Sequence, residues 1–182
     1  MTAKVKSMLQ CILVLAVIAL ASGVLLGAVH VLTYVDPFQA TLDFFKEESG
    51  AEGDFEMIVE KETSVDGTSG SIVYYARSTD GVHAFLAKGN GGYRGERVPV
   101  YVFIKEGTIT KVTPGDYTQQ TFMDELEKGF YDQFVGKDVA TMKPLEADTV
   151  SGATMSSTAV RNAIDAVVAY YNGNVSGGES NG

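Results

Sequence analysis

Between Lys6 and Asp36 the chain carries no Lys, Arg, Asp or Glu, and residues 9–34 read LQCILVLAVIALASGVLLGAVHVLTY. A helix rises 1.5 Å per residue, so about 20 apolar residues cross the hydrocarbon core of a bilayer. Residues 9–34 are therefore expected to form a transmembrane helix with length to spare for tilt. A cleaved signal peptide is the competing reading, because Ala19-Leu20-Ala21 resembles a small-residue cleavage site. The apolar run continues past it through Val24, Leu25, Leu26, Val29, Val31 and Leu32, which favours a retained anchor. Lys4 and Lys6 precede the span and the next basic residue is Lys46, so the positive-inside rule places the N-terminus in the cytoplasm and the rest outside. Ala19, Gly23 and Gly27 form a small-residue stripe that suits close helix approach and is also common in spans generally. His30 falls at the outer end of the span, where an imidazole costs little.

The remainder is acidic. All 23 Asp and Glu lie at or after Asp36, against 12 of the 14 Lys and Arg, a formal charge of −11. Such a surface repels phosphate backbones, so no nucleic-acid partner is expected. Cys11 is the single cysteine, which excludes an internal disulfide and leaves no Cys/His cluster for zinc, iron–sulfur or attached haem. No metal ligands are assigned. Among redox groups a flavin, or a cofactor held by a partner, remains.

The hydropathy pattern divides the chain into a cytoplasmic N-terminus (1–8), the transmembrane helix (9–34), an outer domain (36–172) and a Gly/Ser-rich tail (173–182) expected to be disordered. Asp36-Pro37 reads as a helix start, with Phe38, Leu42 and Phe45 on one face and Gly50 as a stop. Short apolar runs at 56–60, 71–79, 82–88, 97–105 and 108–113 read as strands, with hairpin turns at Asp80-Gly81 and Glu106-Gly107. In 97–105, Val98, Val100, Val102 and Ile104 alternate onto one face. Residues 119–134 read as a helix interrupted at Gly129, with Phe122, Leu126, Phe130 and Phe134 facing the core, and 136–148 as a loop. The last helix, 156–171, presents Val160, Ile164, Val167, Val168 and Tyr171. The expected fold class is α+β, a mainly antiparallel sheet flanked by helices.

Residues 148–157 read DTVSGATMSS and open into that helix. A helix N-terminus offers free amides and partial positive charge to an anion. Gly152 and Ala153 permit close approach, and Ser151, Thr154, Ser156 and Ser157 supply hydroxyls. The same residue types also suit plain N-capping, and the residues alone leave both readings open.

The stretch DTVSGATMSSTAV resembles the D-x-x-[ST]-G-A-[ST] flavinylation motif of the FMN-binding domain of RnfG and NqrC subunits. GNGGYRG at 89–95 and Phe134-Val135-Gly136-Lys137 resemble further family stretches, and the likeness spans most of 36–171. Thr113-Pro114-Gly115 resembles part of the family's E-T-P-G-L-G loop, with Val112 in place of Glu and Asp116-Tyr117 in place of Leu-Gly. The resemblance implies FMN esterified through its phosphate to Thr154, with Asp148, Ser151, Gly152, Ala153 and Ser156 shaping that site, and with Tyr93, Thr113, Pro114 and Tyr117 as candidate ring contacts. It implies an ApbE-type flavin transferase as the modifying enzyme. The single anchor and modest length are closer to RnfG, the electron-relay subunit of ferredoxin-linked, ion-translocating Rnf complexes, with other membrane and iron–sulfur subunits as partners. A stand-alone, membrane-anchored flavinylated protein for extracellular electron transfer is the alternative. Gly89-x-Gly91 opens no helix and is no nicotinamide fingerprint, so no complete reaction and no catalytic residue is assigned to this chain alone.

Overall fold

The computed structural model describes residues 3–33 and 38–176. The chain divides into two units, Met1–Gln39 and Ala40–Gly182. The described residues of the first are helix α1 (Ala3–Thr33) and the two that lead into the next helix. Within α1 the segment Ile12–Thr33, 22 residues long, is apolar enough to span a membrane. That length rises about 33 Å, matching a hydrocarbon core. Asp36 and Pro37, read as the start of the next helix, lie outside the described residues.

The second unit is α+β. After α2 (Gln39–Ser49) come β1 (Phe55–Val59), β2 (Thr63–Ser64), β3 (Gly70–Ser78), β4 (Val82–Gly89), β5 (Val98–Lys105) and β6 (Thr108–Pro114). They form one antiparallel sheet in the order β1-β3-β4-β5-β6, with the two-residue β2 also paired to β3. The short α3 (Met123–Glu127) and the long α4 (Thr154–Tyr170) follow. Both hairpin turns fall where the Asp-Gly and Glu-Gly pairs place them.

The sheet is buried on both faces. On β5 the alternation sends Val98, Val100, Val102 and Ile104 into the core shared with α4. Phe103 points to the opposite face, where Phe45 of α2 meets it edge-on at 6.1 Å. Three bulges reset the alternation: one in β1 between Met57 and Val59, one between Ile72 and Tyr74, and one in β6 opposite Phe103 and Ile104. Ile72 and Tyr75, and likewise Ile109 and Val112, therefore share the α4 face although they are three residues apart.

Helix α4 buries the expected face and adds Ala159, Ala163 and Ala166. Small residues on both sides bring it unusually close to the strands. A methyl group on Gly70 would lie 2.6 Å from the Asn162 carbonyl oxygen, and one on Gly89 would overlap the Ala159 carbonyl oxygen. Each large apolar side chain buried between these layers contributes about 1.5–3 kcal/mol.

Two expectations need correction. Residues 119–134 are not one helix: α3 covers only Met123–Glu127, the backbone turns at Gly129 (φ +119°), and a 3-10 turn, Tyr131–Gln133, follows. Leu126, Phe130 and Phe134 keep their core positions, but Phe122 precedes the helix and is exposed. The helical path also continues past residue 172, where a tail was expected to begin. A π-helical turn, Tyr171–Val175, extends α4, Val175 is buried, and Ser176 Oγ donates to the Asn172 carbonyl at 2.9 Å. Burial of Tyr171 and Val175 against the core outweighs the local Gly/Ser composition. Residues 177–182 lie outside the described residues.

Candidate functional site

Three segments converge at the N-terminal end of α4. The first is the turn that precedes the helix. Two side chains hold its approach: Arg161 donates to the carbonyls of Leu145 (3.1 Å) and Ala147 (2.8 Å), and Gln133 Oε1 accepts from the Asp148 N–H at 3.0 Å. Gly152 then adopts φ +84°, a conformation that favours glycine. Ala153 is the N-cap residue and has no side-chain cap bond. The capping reading of the motif's hydroxyls therefore fails for Ser151 and Thr154. Ser157 organises the turn instead: its Oγ accepts from the Val150 N–H at 3.1 Å and donates to the Ala153 carbonyl at 2.9 Å.

Thr154 is consequently the first residue of α4, exposed, with no hydrogen bond to its hydroxyl among the described residues. The N–H groups of Thr154, Met155 and Ser156 precede the first helical bond, Ser157 N–H to Ala153 carbonyl, and point out of the helix end.

The second segment is the glycine-rich loop between β4 and β5. Asn162 of α4 donates to the Asn90 carbonyl at 2.8 Å and draws the loop toward the helix. A 3-10 turn, Tyr93–Gly95, then presents the Tyr93 ring, with the Arg94 guanidinium 5.4 Å from its centre. The third segment, 118–122, carries Gln120, Thr121 and Phe122.

Gln120, only 7% exposed, joins all three segments. Its Oε1 accepts from Ser156 Oγ (2.7 Å) and from the Tyr93 N–H (3.1 Å). Its Nε2 donates to the Tyr93 carbonyl (3.3 Å) and to Glu96 Oε2 (2.8 Å). Glu96 also accepts from the N–H and hydroxyl of Thr118 and from the Gln119 N–H. Desolvation pushes the Glu96 carboxyl upward, but the hydrogen bonds from Gln120, Thr118 and Gln119 outweigh it and hold the group at about 2, against an ordinary 4.5. A depressed carboxyl stabilises the fold above its unfolded value, and that contribution disappears as pH falls from 4.5 toward about 2. Wild type is therefore expected to be more heat-stable than Glu96→Gln above pH 5, with the gap closing in acid. Paired melting curves across that range check it, and a gap independent of pH would overturn it.

Between these segments lies a cleft of about 280 Å³ lined by Tyr93, Thr121, Phe122, Gly152, Ala153, Thr154, Met155 and Ser156. That is close to the lower end of the range for small-molecule sites. Its apolar walls are open to solvent: Tyr93 is 39%, Met155 50% and Phe122 52% exposed. The structure thus gathers Tyr93, Gly152, Ala153, Thr154 and Ser156, with Ser151 beside them in the turn and Asp148 upstream. Thr113 and Pro114 do not line the cleft: they end β6, opposite Tyr101 and Val100. Tyr117 packs partly buried against the main core. Sequence reasoning missed Gln120, Glu96 and Phe122 as a wall, and it named the Ser157 hydroxyl without its role in holding the turn. A larger cavity of about 410 Å³ near the other end of α4, lined by Asp80, His83, Lys105, Asp138 and Tyr171, contains none of the motif residues.

No curated protein matches the chain. Residues 92–169 match the family model of the FMN-binding domain, a stretch that begins just before Tyr93 and contains Glu96, Gln120 and the whole turn before α4. The match supports an FMN-binding domain over this part of the chain, and with it a flavin-based electron-transfer role.

Proposed function

We propose that the protein carries FMN as a phosphoester on Thr154 and serves as a membrane-anchored electron relay, the RnfG-type subunit of a ferredoxin-linked, ion-translocating complex. The observation that carries this reading is the Thr154 hydroxyl: exposed, unbonded, on the first residue of a 17-residue helix, and on the rim of a cleft with aromatic walls. The residues present fit the group. Free amides at the start of α4 suit its phosphate. Tyr93, Phe122 and Met155 offer an apolar seat for a planar ring. Attachment forms a bond between Thr154 Oγ1 and the FMN phosphorus of FAD, breaks the FAD pyrophosphate, releases AMP and frees the hydroxyl proton. Bound flavin supplies one- or two-electron transfer, and the surroundings of its ring set its potential. A half-open cleft lets electrons enter and leave without the group dissociating, which matters outside the cytoplasm, where a lost cofactor is diluted away.

Membrane anchoring by α1, an outward-facing domain and assembly with iron–sulfur subunits belong to the same proposal. The charge asymmetry around the span supports the orientation, and the family likeness supports the assembly.

Co-expression with an ApbE-type flavin transferase is expected to give a band that stays fluorescent on a denaturing gel. Protease added to intact spheroplasts should remove the domain while the membrane stays closed. Mild-detergent purification should bring iron–sulfur subunits with it. No fluorescent band overturns covalent attachment, full protection overturns the orientation, and recovery of the loaded protein alone favours the stand-alone reading.

A further inference from the structure

We infer that Gln120 is the positioning residue of the flavin cleft, locking the Tyr93 wall to the first turn of α4 behind Thr154, with Glu96 fixing which end of its amide faces the helix. This rests on the cleft being the FMN site.

Gln120 touches no exposed face of the cleft, yet each of its polar atoms is used in two directions. Oε1 takes the Ser156 hydroxyl from α4 and the Tyr93 N–H from the β4–β5 loop. Nε2 gives to the Tyr93 carbonyl and to Glu96. A side-chain amide has an acceptor end and a donor end, and only one orientation serves these partners. Glu96 is ionised and accepts only, so it demands the donor end. That leaves the acceptor end for Ser156 and Tyr93. Both walls then hang on one buried group, and removing it leaves the Tyr93 N–H and the Ser156 hydroxyl without their partner. A methyl group on Gly92 would lie 3.0 Å from Gln120 Nε2, so the loop is built to pass close to this amide. Gln120 itself need never contact the flavin. Its effect is to keep the ring of Tyr93 and the hydroxyl of Thr154 at a fixed separation.

The test uses the full chain, unmodified and loaded. In unmodified Gln120→Leu, the Tyr93 amide is expected to exchange with solvent about tenfold faster or more, while amides of β4 and β5 keep their wild-type rates. In the loaded variant, flavin emission should rise, because an aromatic ring held beside a flavin quenches it. Loading by the transferase should slow about tenfold or more, as expected when a reacting group is misplaced. Ser156→Ala, which removes one of the four bonds, should show the same changes in smaller measure, and it decides the matter if Gln120→Leu does not fold. Unchanged Tyr93 exchange and emission in these variants would overturn the inference. So would equal acceleration of the sheet amides, which would make Gln120 a general stability residue. Failure of wild type to take up FMN overturns the reading of the site and this inference with it. A loaded wild type with indistinguishable variants overturns the inference alone.

Discussion

Thr154→Ala is expected to abolish covalent FMN while leaving a folded domain. A phosphoester needs a hydroxyl at one place, and among the described residues of the first turn of α4 Thr154 alone has a hydroxyl that is exposed and makes no hydrogen bond, Ser151 lying three residues upstream in the preceding turn. Ser156 and Ser157 are buried and committed, to Gln120 and to the Ala153 carbonyl respectively. They cannot substitute for Thr154 without breaking the contacts that shape the turn. The hydroxyl makes no cap, so its loss should change stability by no more than about 0.5 kcal/mol, as for other exposed sites. Thr154→Ser keeps the oxygen and should retain part of the modification. Ser151→Ala and Asp148→Ala should slow loading without preventing it, since both flank the reacting residue. Mass spectrometry of the peptide containing residue 154, scanned for the added FMN mass, reads all of these. Full modification of the Thr154→Ala variant would place the ester elsewhere.

Gly89→Ala should be the most destabilising small substitution in the domain. The added methyl would collide with the Ala159 carbonyl oxygen, a backbone atom inside a regular helix with no rotamer to escape into. Relief requires α4 to lift from β4, which opens the main core. Overpacking costs about 1–3 kcal/mol and a collision with helix backbone belongs at the upper end, a drop that lowers the melting temperature by about 10 °C. Gly173→Ala is the control, because no atom lies within 4 Å of a methyl group there. Melting curves of the two variants, read by circular dichroism, separate the cases. Equal stability would show that α4 does not depend on this close approach. FMN loading should fall with Gly89→Ala as well, since the same helix carries Thr154.

Most of the sheet was legible because its information is local. Alternating apolar residues in β5 and glycine turns at residues 81 and 107 state both the strand and its partner. The bulges were not legible. One extra residue leaves composition intact and shifts only the parity, so Tyr75 and Val112 change face with no sign in the pattern. The stretch 119–134 misled for a related reason. Aromatic residues four apart satisfy a continuous helix and equally two short turns about Gly129, and only the glycine's positive φ decides between them. At the site, the motif around Thr154 was legible through its resemblance to a family, and the aromatic Tyr93 came with the glycine loop. Gln120 was not. A single glutamine has no periodicity, and its partners lie 24 to 36 residues away in sequence. Its importance exists only once β4, β5 and α4 are packed. Thr113 and Pro114, offered as ring contacts by a short tripeptide likeness, end β6 opposite Tyr101 and Val100 and do not line the cleft.

The near-contact of α4 with the backbone of β3 and β4 has a consequence for electron exchange itself. The speed of such exchange depends on how far the surrounding nuclei must shift when charge arrives or leaves. A redox group tethered at Thr154 would stand on a helix that meets peptide backbone directly at Gly70 and Gly89 and is otherwise wedged by a close-packed core. Its footing would stay nearly still between charge states. If the group is carried there, this rigid footing would keep the protein's share of the reorganisation energy small, and solvent at the open cleft would supply most of the rest.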